Sequence, residues 1–79
     1  MSKSYKVQSV LFSRDHFTKN QAIKWLEENG YQNKKIDISK NYMRFRQVDT
    51  DYMRRLGYTE YHNKKLGQDS GIELVIGYK

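Results

Sequence analysis

Tyr42, Arg44 and Arg46 are the residues of this chain whose types and spacing point most directly to chemistry. They fall at i, i+2 and i+4 of the segment Tyr-Met-Arg-Phe-Arg-Gln-Val, 42–48. Side chains alternate along a strand, so these three share one face, and Met43, Phe45 and Gln47 share the other. The second set suits a core and the first suits a partner. Guanidinium groups offer forked donors to phosphate, and a phenol ring offers a stacking surface. Basic residues interleaved with aromatics on a sheet are a physical solution for single-stranded nucleic acid. Arg54, Arg55, Lys64 and Lys65 lie downstream and extend the basic set. The same residues also support a structural reading. Arg44 and Arg46 would then pair with Asp37 or Glu73 across the sheet, and Tyr42 would pack under a helix.

Other chemistry finds less support. Ser13, Asp15 and His16 are neighbours in sequence, but a nucleophile needs a base in reach and an orienting group behind it, and adjacency in a loop does not supply these. Asp49 and Asp51 read as helix-cap groups rather than metal ligands. The five glycines are dispersed, so none builds a phosphate loop. His16 and His62 are far apart, and there is no cysteine, which excludes disulfides and thiolate metal sites. No cofactor or metal is expected, and the chain reads as non-enzymatic.

The net charge is +6, from 15 Lys and Arg against 9 Asp and Glu. This favours acidic partners, nucleic acid above all, although charge of this size also serves solubility. Residues 40–65 hold seven basic and three acidic groups, the densest excess in the chain. Seven tyrosines suit protein interfaces, where Tyr and Arg are favoured anchors, and spare edge strands would allow a homo-oligomer. No apolar run approaches the ~20 residues of a membrane helix, and the N-terminus lacks the apolar segment of a signal peptide, so no membrane partner is expected.

These residues need a scaffold, and 79 residues make one domain. Tyr5 to Phe12 reads as a strand. Leu11 and Phe12 are adjacent and must face opposite ways, which predicts a central strand covered on both sides. Thr18 and Gln21 form a capping box, with Phe17 before it as a staple against Ala22 or Ile23. Ala22, Ile23, Trp25 and Leu26 form the apolar face of the helix, which ends at Asn29-Gly30 with Tyr31 folded back on Leu26. After a polar connection, Ile36 and Ile38 mark a short strand. Residues 39–42 form a turn, and the opening strand runs from Tyr42 to about Val48. Asp49 to Asp51 cap a short second helix stopped by Gly57, with Tyr52, Met53 and Leu56 inward. Tyr58 to Leu66 reads as an extended loop or a weak edge strand. Residues 68–71 form a turn, and Ile72, Leu74, Ile76 and Tyr78 share a face of the last strand. The fold class is α+β. It is a small antiparallel or mixed sheet with one firm and one short helix on one face, in the order β-α-β-β-α-(β)-β. A ferredoxin-like split arrangement is compatible.

The pattern VQSVLF (7–12), Asp15, Phe17, Thr18, Ala22, Trp25, Leu26, Tyr31, Asp37, RFRQVD (44–49), Lys65-Leu66 and GIELVIG (71–77) resembles a small, uncharacterised family of proteins from tailed phages and large double-stranded DNA viruses. The likeness spans nearly the whole chain, and VQSV, AIKWL and RFRQVD are its most specific pieces. The family often places proline after RFRQ-x-D, where this chain has Thr50. The resemblance implies a viral origin and a non-enzymatic role linked to the virion or the genome. It brings no catalytic residues. The expected setting is the host cytoplasm or nucleus, or the virion. The expected function is therefore a small basic viral protein that binds nucleic acid, DNA or RNA, with a viral structural protein as a further partner. The alternative is a protein–protein interaction module for capsid assembly or host-factor modulation.

Overall fold

Strand β1, Tyr5–Ser13, organises the molecule because it has a neighbour on each side and apolar residues on both faces. The computed structural model describes residues 4–67 and 70–79. After β1 come α1 (Lys19–Glu28), β2 (Ile36–Ile38), β3 (Tyr42–Arg46), α2 (Thr50–Arg55), β4 (Glu60–Lys65) and β5 (Ile72–Tyr78). The strands form one five-stranded sheet in the order β2-β3-β1-β5-β4, with every neighbouring pair antiparallel. The fold is the expected α+β, and the element order is the expected one. Of the two readings open for the stretch after Tyr58, the structure has the edge strand. Of the expected turn at 68–71, residues 68 and 69 lie outside the described residues.

Helix α1 closes one face of the sheet. Thr18 Oγ1 accepts the Gln21 N–H at 3.2 Å, and Gln21 Oε1 accepts the Thr18 N–H at 2.9 Å, so the capping box forms as expected. Gly30 has a φ of +79°, and the Tyr31 N–H returns to the Leu26 carbonyl at 2.9 Å, a Schellman closure. The Tyr31 ring itself stacks on Trp25, with centroids 5.8 Å apart. Beneath the helix lie Val10, Phe12, Met43, Phe45, Ile72, Leu74 and Ile76, with Ala22 and Leu26 from α1. Phe12 is the hub: its ring meets Phe17, Trp25 and Phe45 edge-on at 5.2, 5.6 and 5.6 Å. Phe17 thus reaches the core through Phe12.

The short helix lies on the other face, which corrects the expectation of two helices on one side. Ile76 faces α1, so its neighbour Gly77 faces away. A side chain at Gly77 would overlap Met53 Cε of α2. Met53 is fully buried there, whereas Tyr52 and Leu56, expected inward, are 54% and 39% exposed. Six residues present little more than one side chain to the sheet, and the bare backbone of Gly77 is where that side chain fits. Gly77→Ala is expected to cost about 1–3 kcal/mol by overpacking. In urea denaturation, Met53→Ala should suppress part of that loss, giving a double variant less destabilised than the sum of the singles.

Strand β3 is also shorter than the expected run to Val48. It ends at Arg46 because the N–H groups of Gln47 and Val48 both turn to the Gln8 carbonyl, at 2.7 and 3.3 Å. Gln47, expected on the core face, instead joins its amide to the backbone N–H and carbonyl of Gln32.

Candidate nucleic-acid interface

The face of the sheet turned away from α1 carries the side chains singled out above. Met43 and Phe45 are buried under α1, so Tyr42, Arg44 and Arg46 stand on the opposite face as alternation requires. Tyr42 and Arg44 are exposed, and Arg46 is half-buried. Alternate residues of a strand lie about 6.7 Å apart. That is close to the separation of successive phosphates in an extended single strand.

Arg44 is held from below by an arrangement in β1. The β1–β5 register shifts between Val7 and Ser9, a bulge that leaves Gln8 as the additional residue. Gln8 and Ser9 are both buried, the former only 2% exposed. Arg44 Nε donates to Ser9 Oγ at 3.0 Å, and Arg44 Nη2 donates to Gln8 Oε1 at 2.8 Å. The Ser9 hydroxyl donates to Gln8 Oε1. Gln8 Nε2 in turn donates to the Val48 carbonyl at 3.0 Å and to Thr50 Oγ1 at 3.2 Å. The network ties β1, β3 and the start of α2 together, and it fixes the plane of the guanidinium. A guanidinium has five N–H donors, more than these two bonds use. The residue lines a cleft of about 290 Å³ together with Gln8, Asp37, Arg46 and Thr50.

Gln8→Ala should expose how much this network contributes. Removing the amide leaves Arg44, Thr50 and the Val48 carbonyl short of partners in a partly buried setting. A loss of about 1–3 kcal/mol in denaturant unfolding is expected.

Arg46 has acidic company. Its Nη1 lies 3.4 Å from Asp49 Oδ1 and its Nη2 4.0 Å from Asp37 Oδ2, while Lys35 Nζ is 3.6 Å from Asp49. The cross-strand reading thus holds in part: Arg46 approaches Asp37 diagonally, and Arg44 bonds to neutral groups of β1. All of these ion pairs are largely exposed. Such pairs are worth about 0–1 kcal/mol, so a phosphate can compete for the same guanidinium.

The remaining basic residues divide. Arg55 joins Arg46 along a cleft of about 440 Å³ with Asp49, Thr50, Asp51 and Tyr52. Arg54 pairs with Asp51 at 3.5 Å. Lys65 is on the same face as Arg44, but one line across the sheet runs Asp37, Arg44, Leu11, Glu73, Lys65. Three strand spacings, roughly 14 Å, separate the two cations, with Glu73 between them. Lys65 and Tyr42 both line a cavity of about 170 Å³ that also includes Ser13, His16 and Glu73. Lys64 pairs with Leu74 and so turns to the α1 side. The structure therefore unites Tyr42, Arg44, Arg46 and Arg55 along one side of the sheet, and it sets Lys64, Lys65 and Arg54 apart.

Gln8 and Ser9 lie outside the residues that sequence reasoning selects for the site. The signal available was two polar residues inside the apolar run VQSVLF of a strand that reads as central. Buried polar side chains need partners, and here the partner is the arginine. No family model, curated protein or solved structure matches this chain.

Proposed function

We propose that this chain is a small, non-enzymatic viral protein that binds nucleic acid on the sheet face opposite α1. The observation that carries the reading is the exposed guanidinium of Arg44, oriented by the buried side chains of Gln8 and Ser9 and aligned on one strand with Arg46 and Tyr42. Fixing a long flexible cation beforehand reduces the ordering cost of binding an anion. Arg44 and Arg46 hold phosphates, Tyr42 stacks on a base, and Arg55 adds attraction at the α2 end. α2 covers one end of this face, and the part left uncovered around Tyr42, Arg44 and Arg46 suits an unpaired strand, whose bases are free to stack. The viral setting rests on the resemblance of the sequence pattern.

Fluorescence anisotropy with labelled single-stranded and duplex DNA and single-stranded RNA, each across a salt series, tests the reading. Single strands should bind more tightly than the duplex. The log–log salt slope should be about −1.4 or steeper, from at least two neutralised phosphates at roughly −0.7 each. Flat dependence on salt sinks it. The exposed tyrosines Tyr5, Tyr42 and Tyr52 favour a second reading, an interaction module for capsid or host proteins. Partner association that survives nuclease treatment distinguishes that reading.

A further inference from the structure

Strand β4 forms one edge of the sheet. Every residue of β4, Glu60–Lys65, is exposed, and among the described residues the strand pairs with β5 on one side only. The Leu66 N–H donates to the Ile72 carbonyl at 2.9 Å. In an antiparallel ladder this sets the phase: peptide groups of even-numbered residues face β5, and those of Tyr61, Asn63 and Lys65 face outward. We propose that this edge pairs antiparallel with β4 of a second copy, joining the two sheets into one continuous sheet.

Symmetry limits the register. A two-fold axis between neighbouring antiparallel strands must stand perpendicular to the sheet, so each face stays on its own side. Opposed residues must then belong to the same face, both even or both odd. Centring the pairing on His62 sets the two His62 rings opposite each other at the axis and places Glu60 opposite Lys64 of the second copy, and Lys64 opposite Glu60, all in the non-hydrogen-bonded pairs where side chains come closest; a neutral imidazole pair carries no charge to repel. Tyr61 and Asn63 then meet in the pairs that exchange both backbone hydrogen bonds, as their outward peptide groups require. Centring on Asn63 instead sets His62 opposite Lys64, and centring on Lys64 opposes two lysines. Centring on Tyr61 sets Glu60 opposite His62 and leaves Lys64 without a carboxylate. Lysines on an edge strand ordinarily guard against pairing. Here Glu60, four positions earlier, offsets Lys64 in a single register. Glu60 is engaged within its own chain, and a carboxylate with its several acceptor sites can take a further donor. The opposite edge, β2, has three residues, and centred self-pairing there would oppose two copies of Asp37.

The arrangement turns both α1-free faces to the same side. Tyr42, Arg44 and Arg46 of the two copies would then serve one longer strand, a consequence that rests on the function proposed above; the dimer itself does not. Sedimentation velocity on the wild type, Glu60→Lys, Lys64→Glu and the double exchange tests the pairing, with circular dichroism melts to confirm that each variant is folded. The wild type should dimerise with a Kd of roughly micromolar order, as befits a small interface. Each single variant opposes like charges twice and should weaken dimerisation at least about tenfold. An equimolar mixture of the two single variants presents lysines to glutamates at both pairs, and it should associate as well as the wild type or better. The double exchange should do likewise. A wild type that stays monomeric at about 1 mM, above the range expected of a specific interface, overturns the proposal, as does a mixture that fails to associate. A dimer that forms without salt-dependent binding of nucleic acid leaves this pairing standing and removes only the function proposed above.

Discussion

Replacing Arg44 and Arg46 together with alanine is expected to abolish most nucleic-acid affinity while leaving the fold in place. Hydrogen bonds to a charged group are worth about 1.5–3 kcal/mol, so each arginine should account for roughly a ten- to hundredfold change in Kd. The salt slope should fall by about 0.7 for each phosphate that is no longer neutralised. The fold should survive because Gln8 and Ser9 remain bonded to each other, and Gln8 to the Val48 carbonyl and Thr50 Oγ1. Arg46 leaves only exposed ion pairs behind. Arg44→Lys sharpens the test. It keeps the charge but loses the planar fork that Gln8 and Ser9 orient, so it should keep the salt slope and still lose part of the affinity. If the double alanine variant binds with unchanged affinity and slope, Arg44 and Arg46 serve the sheet alone, as the cross-strand reading holds.

The largest expected effect on stability comes from Phe12→Ala. The ring is fully buried and touches three other aromatic rings, so its removal should cost about 3–5 kcal/mol. Small domains have only about 5–15 kcal/mol in total, and each 1 kcal/mol shifts Tm by roughly 4–8 °C at this size. A fall in Tm of more than about 12 °C is therefore expected from the lower bound of that cost. Tyr52→Ala is the control. Tyr52 is exposed on α2, and a surface change of this kind should stay within about 0.5 kcal/mol. A large loss there would mean that α2 packs through Tyr52, contrary to the placement of Met53 against Gly77.

Local signals set the type of each element except β4, which they left between a loop and an edge strand, and for the most part the ends of the others. The capping box at Thr18 and Gln21 and the left-handed glycine at position 30 delimit α1 through interactions a few residues apart, and these can be read along a line. Alternation through residues 42–46 separated Met43 and Phe45 from Tyr42, Arg44 and Arg46, because a strand has a fixed period of two. Adjacent Leu11 and Phe12 marked β1 as central for the same reason.

What lay beyond the sequence came from interactions between distant residues. The order β2-β3-β1-β5-β4 depends on which strands find one another, and nothing in any one strand names its neighbour. Arg44 was free to join a carboxylate across the sheet by any local reasoning. It took Gln8 and Ser9, about 35 residues away, because a bulge turned both polar side chains of a central strand towards it, and buried polar groups must be satisfied. The side chosen by α2 was likewise undetermined by its own composition. Six residues have too little apolar surface to select a face, and the absence of a side chain at Gly77 made the selection. The sequence by itself determined every element but β4, the core faces of β3 and β5, and the basic character of the other face of β3. Tertiary structure decided which arginine is oriented, which is shared with carboxylates, and which cations stand apart, because those outcomes depend on the geometry between strands that only the folded sheet sets.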